Sequence, residues 1–253
     1  APLLLFERFI DRLPNFRRLM ERGIYGKLES SDPPITIPAW TVMASSRSPG
    51  SLGLYGFRHR LNNSYNDIWI ASSRRVQVKR IWDYVSEAGG KSCLVGIPPS
   101  YPPYPINGWL VGGFITPDTS RDFTYPPELG EEIKGVVRDY AVDVEFRIED
   151  KRGLIREINQ MTENHFEAIK HLATTKDWNF FMFVEIGLDR IHHAFWKYFD
   201  EEHKLYEPGS GFENVVGDYY ELLDRKLGEL LEIVEDDTVI FVASDHGGKA
   251  MKG

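Results

Sequence analysis

Two apolar runs organise the second half of the chain: FFMFVEI at 180–186 and TVIFVAS at 238–244. Runs of this length and composition suit parallel strands covered on both faces, so each predicts a buried strand. KSCLVGI, 91–97, predicts a third. Apolar positions at helical spacing predict helices over 14–22, 79–90, 128–139, 153–172, about 189–199 and roughly 213–234. Pro14 sits where a first turn tolerates proline, Gly23 lies just past a helix end, and Gly89–Gly90 stop the 79–90 helix. The stretch from Pro38 to Arg47 predicts a further helix with Pro38 in its first turn, and IYGKLES (24–30) reads as a short strand before the turn at Pro33–Pro34.

Residues 98–127 interrupt this alternation with Pro, Gly and Tyr, which exclude a regular helix. The segment is too aromatic for a disordered linker and reads as an ordered, irregular excursion over the sheet. Its Tyr101, Tyr104 and Trp109 could stack a base or an aryl group, or pack in the core. Helices alternating with buried strands give an α/β fold with a mostly parallel central sheet and helices on both faces. The whole of 1–253 is expected to form a single catalytic core.

Composition narrows the function without naming it. With 42% hydrophobic and 27% charged residues, the 253-residue chain has an ordinary globular balance. Its net charge of −8 argues against a general nucleic-acid or anionic-membrane surface. An anionic substrate remains compatible, because bound cations invert the local field. No apolar run reaches the roughly 20 residues of a membrane span. One cysteine, Cys93, precludes an internal disulfide and suits a reducing, cytoplasmic setting.

Chemistry concentrates where apolar runs end. FVEIGLDRIHH carries Asp189 and His193 four apart at a helix start, so both side chains share one face and can hold one ion. His192 points elsewhere. FVASDHGG places Asp245 and His246 directly after its predicted strand, with Gly247–Gly248 for a tight turn. Ligand sites in open α/β sheets lie beyond the carboxyl ends of strands, so both pairs are expected to face one crevice. Taken singly, each pair also reads as a helix cap beside a surface imidazole. Mixed His/Asp ligation suits zinc or manganese better than calcium. Upstream, Thr36 precedes Ile-Pro-Ala-Trp near a helix N-terminus, where backbone N–H groups favour an anion. A turn or capping role fits Thr36 equally well on local sequence.

Together and in this order, ITIPAWTVMASSRSPGSLGLYGF, GLDRIHH and SDHGG resemble the alkaline phosphatase superfamily, in its type I phosphodiesterase/nucleotide pyrophosphatase branch. PAWT, YGFRHR and PPSYPP look like the archaeal and bacterial predicted phosphohydrolase or phosphomutase group. The resemblance implies two divalent metal ions, zinc or alternatively manganese. Asp189 and His193 would hold one; Asp245, His246 and Thr36 would belong to the other. Thr36 would attack phosphorus to form a covalent phosphothreonine, which water then hydrolyses. With Ala39 in place of the family's phosphate-contacting Asn, Arg58 and Arg60 in YGFRHR are instead the candidates to hold the phosphate, and they also read as solvated loop charges. The expected partner is a small phosphate ester, with no nucleic-acid polymer and no membrane.

Departures from the family pattern qualify this expectation. Ala39 stands where nucleotide pyrophosphatases carry Asn, Ser45–Ser46 replaces Thr-Gly, and Leu52 replaces His before Gly53. The family's N-terminal Asp and late His ligands have no counterpart, as though the chain were shortened at both ends. His59, His165, His171 and His203 lie outside the matching context. Two alternatives therefore stand beside a phosphodiesterase: a non-catalytic phosphate- or nucleotide-binding domain, and a phosphomutase of the cofactor-independent phosphoglycerate mutase type.

Overall fold

The computed structural model describes residues 2–62, 64–120 and 122–250. The first elements are α1 (Pro2–Leu4), α2 (Pro14–Arg22), α3 (Thr36–Ser45), α4 (Pro49–Leu52) and the strands β1 (Arg58–Arg60) and β2 (Ile68–Ile70). Next come α5 (Ile81–Glu87), β3 (Ser92–Val95), β4 (Gly108–Val111), β5 (Thr124–Tyr125) and α6 (Leu129–Val136). The chain continues through α7 (Lys151–Thr175), β6 (Phe180–Phe183), α8 (Gly187–Phe199) and α9 (Val215–Leu231). Two compact units result. One comprises Ala1–Leu28, Asp143–Phe166 and Glu185–Gly253; the other comprises Glu29–Val142 and Glu167–Val184.

The second unit holds the sheet, in the order β5-β4-β3-β6. β3 pairs in parallel with β4 and β6, while β5 runs antiparallel to β4, so the architecture is α/β with a mostly parallel sheet flanked by helices. Each residue of β3 is buried, as its uninterrupted SCLV requires for a central strand. Glycine allows the close approaches beside it. A Cβ on Gly108 would meet the Ser92 carbonyl oxygen at 1.9 Å, and at Gly96 (φ 74°) one would meet that of Val184 at 2.8 Å.

Three expectations need correction. The 98–127 excursion contains β4 and β5, so it joins the sheet rather than merely passing over it; its Arg121 lies outside the described residues. Leu110 and Val111 are fully buried there, which the surrounding Pro and Gly obscured. IYGKLES is not a strand: Ile24, Tyr25 and Leu28 are exposed and enter no ladder. TVIFVAS is not one either, with Val239 77% and Phe241 88% exposed. The physical reason is shared. A strand exists only through hydrogen bonds to a neighbour, and no described strand pairs with either segment. β6 forms as expected but ends the sheet's strand order, and its four side chains are only half-buried.

The first unit is helical. α8 and α9 pack around Ile191, Phe195, Val216 and Tyr220, joined by Leu154 and Ile158 of α7. α2 lacks a side-chain cap of its own, and Asp224 of α9 supplies one. The buried Asp224 carboxylate accepts the backbone N–H groups of Asn15 and Phe16 at 3.0 and 2.8 Å, satisfying donors that a helix start leaves open.

Candidate active site

Thr36 opens α3 as its first helical residue. The preceding Ile35 is extended (φ −119°, ψ 142°), its carbonyl accepts from the Ala39 N–H, and Thr36 itself is buried. Pro38 falls in the first turn, where its missing N–H costs no hydrogen bond. Further along, the Thr41 hydroxyl donates back to the Ile37 carbonyl at 2.7 Å, and Ser46 ends the helix at φ 55°. Of the first-turn amides of α3, that of Ala39 is taken by Ile35 and Pro38 has none.

Arg58 and Arg60 lie in the same unit, on β1 of a separate two-stranded antiparallel hairpin, and both are exposed. Arg60 stacks 4.1 Å over the Tyr65 ring. Between them, His59 stacks on Trp69 at 4.1 Å, and Arg75 lies 4.5 Å from the centroid of that indole.

Asp189, His193, Asp245 and His246 all belong to the first unit. Asp189 is the third residue of α8, and one turn later His193 brings Nε2 to 3.5 Å from Asp189 Oδ1. The other Asp189 oxygen accepts from Arg190 Nη1 at 2.7 Å. Arg190 is in turn clamped by Asp143, with Nε and Nη2 donating to its two oxygens at 2.7 and 2.6 Å. His192 projects away as the helical angle required. It is half-buried beside Trp196 and Tyr220, and desolvation, with His193 and His246 nearby, pushes its pKa down to about 3. It is therefore neutral at physiological pH.

The segment after TVIFVAS turns back onto α8. A Cβ on Gly248 would meet the Trp196 ring at 2.5 Å, so only glycine lets the backbone lie this close. Within that segment, His246 Nε2 approaches Asp245 Oδ2 to 3.3 Å. Burial holds the Asp245 carboxyl above the usual aspartate range; the charge of Asp189 adds to the effect and His246 opposes it. The two Asp/His pairs are thus electrostatic neighbours.

Chemically, this donor set fits a divalent cation of the zinc or manganese type: two carboxylates and two imidazoles, with carboxylates that repel each other until a cation lies among them. Among the described residues, no three or more His, Cys, Asp or Glu side chains converge closely enough to hold an ion as they stand. The expected pairs are present; a closed coordination shell is not.

Sequence reasoning passed over two groups around Asp189. One is the Arg190–Asp143 clamp, whose partners lie 47 residues apart. The other surrounds Glu185, whose Oε2 lies 2.9 Å from His165 Nδ1 and whose Oε1 accepts the Gly187 N–H at 2.7 Å. Glu185 is visible in FVEIGLDRIHH, and Thr162 and His165 share a helical face three apart. Nothing in the sequence pairs the two stretches.

A mostly parallel α/β sheet flanked by helices is the fold expected of the alkaline phosphatase superfamily. The chain belongs to the type I phosphodiesterase / nucleotide pyrophosphatase family, whose model matches residues 2–253. Searches of curated proteins and of solved structures find no match. Members of the family act on small phosphate esters and are typically metal-dependent. No helix among the described residues is long and apolar enough to cross a membrane.

Proposed function

We propose that the chain is a metal-dependent phosphoric ester hydrolase of the phosphodiesterase/nucleotide pyrophosphatase type, with Thr36 as nucleophile. Asp189, His193, Asp245 and His246 are the residues that would hold two divalent ions, zinc or alternatively manganese. Such ions, when bound, neutralise phosphate charge and make a hydroxyl a competent nucleophile. The Thr36 hydroxyl gives up its proton and Oγ1 bonds to phosphorus as the bond from phosphorus to the leaving-group oxygen breaks; the leaving oxygen takes up a proton in exchange. Water attacks the phosphothreonine, the Oγ1–P bond breaks, and the Thr36 hydroxyl is restored. The N-terminus of α3 orients the phosphoryl oxygens, and Arg58 and Arg60 bind the remainder of the anion.

The observation that carries this reading is the charge of Asp189 acting on Asp245, each with an imidazole beside it. The family match runs through both units. A single cysteine, buried in β3, supports a cytoplasmic setting. A non-catalytic phosphate-binding domain is the second reading, favoured by the Arg190 guanidinium already on Asp189. Turnover of a nitrophenyl phosphodiester with added zinc or manganese tests the choice. Hydrolysis by wild type and its loss in Asp189→Ala support the enzyme. Phosphate binding without turnover in wild type supports the binding domain.

A further inference from the structure

A carboxylate enclosed by protein is costly unless its oxygens are paired. Glu185, with 8% of its side chain exposed, is such a group, and its oxygens reach three helices. Oε2 lies 2.9 Å from His165 Nδ1 on α7. Oε1 accepts from the Gly187 N–H at 2.7 Å and from the Thr162 hydroxyl at 3.3 Å, with the Tyr219 hydroxyl of α9 at 3.5 Å. Thr162 and Tyr219 are themselves joined at 2.6 Å. Burial opposes ionisation of Glu185, yet its pKa lies below the ordinary glutamate value. The His165 charge and hydrogen bond, then Gly187 and Thr162, outweigh the burial.

The network converges on the start of α8. Ile186, at the helix N-cap, contributes no side-chain cap, and the Glu185 carboxylate takes that place by accepting the first amide of the helix. Gly187 is the point of attachment. A Cβ there would meet the Tyr219 hydroxyl at 2.1 Å, and Glu185 Oε1 and Thr162 Oγ1 at 2.8 Å. Asp189 follows two residues later in the same turn.

We infer that Glu185 is a positioning residue for Asp189: through the Gly187 amide it fixes the first turn of α8 and so the direction in which Asp189 offers its carboxylate to a cation. This rests on the proposal that Asp189 is a metal ligand. A buried ion pair adds little net stability over an apolar replacement, although removing one partner alone is costly, so metal affinity has to be read beside melting temperature. Outer-shell partners of this kind contribute about 10- to 100-fold in metal affinity.

The test is calorimetric titration of the whole chain with manganese chloride, well below each variant's melting temperature. Glu185→Gln, which keeps the shape and removes the charge, is expected to bind manganese at least about 10-fold more weakly than wild type. Asp224→Asn, which weakens the α2 cap elsewhere in the same unit, is expected to melt earlier and bind manganese as wild type does. Equal affinity in wild type and Glu185→Gln overturns the inference. So does weakening in both variants, which would show a general loss of stability. If Glu185→Gln does not fold, Thr162→Val removes one donor to Oε1 at nearly constant volume: several-fold weaker binding supports the inference, and unchanged binding overturns it. No manganese binding by wild type would instead overturn the metal reading on which this depends.

Discussion

Asp189 and Asp245, 56 positions apart in sequence, are close enough in the fold that the charge of Asp189 strengthens the hold of Asp245 on its proton. Burial is the larger cause of the raised Asp245 pKa. A carboxyl whose folded-state pKa is raised binds its proton more tightly when folded than when unfolded. The resulting stability is present at low pH and is lost as pH rises through the raised value. At neutral pH without metal, ionised Asp245 is therefore a liability. Asp245→Asn is expected to melt higher than wild type at pH 7 in chelator, with the advantage shrinking in acid, while manganese binding is lost. Calorimetric melting at the two pH values checks this; a lower melting temperature at pH 7 contradicts it.

Thr36→Ala is expected to bring hydrolysis of a nitrophenyl phosphodiester to background. The protein should stay folded, with a stability cost of about 1 kcal/mol, the scale of one hydrogen bond. Activity near wild type would remove Thr36 from the reaction. Circular dichroism and denaturant midpoints distinguish lost chemistry from lost structure.

Arg190→Ala leaves Asp143 without its bidentate partner in a largely enclosed setting. Breaking such a pair costs about 3–5 kcal/mol. Urea unfolding is the measurement, and a loss under about 1 kcal/mol would mean that Asp143 finds solvent readily.

Gly187→Ala forces a methyl group into the space of the Tyr219 hydroxyl. Overpacking of this kind costs typically about 1–3 kcal/mol. The melting temperature should fall accordingly, whereas Gly135→Ala, in α6 with open space around it, should not lower it.

Elements whose cause is local were legible in the sequence. Pro14 and Gly23 bracket α2, Gly89–Gly90 follow α5, and β3 reads directly as a buried SCLV. The four-residue spacing of Asp189 and His193 gave their shared face, and the same geometry turned His192 toward Trp196 and Tyr220. What failed depended on partners. TVIFVAS has a strand's composition but no ladder neighbour, and β4 and β5 hide among prolines because their pairing, not their content, makes them strands. Glu185 was missed because His165 and Tyr219, the residues that explain it, sit 20 positions before it and 34 after.

The central claim is a covalent phosphoryl group on Thr36. A nitrophenyl phosphodiester is incubated with the protein and zinc or manganese, quenched in acid within the first turnovers, and the peptides are mapped by mass spectrometry. The account predicts a phosphoryl adduct carrying the retained ester group on the peptide containing Thr36, absent from Thr36→Ala and absent when metal is chelated. Turnover with no adduct on that peptide in wild type, and undiminished turnover in Thr36→Ala, would contradict it.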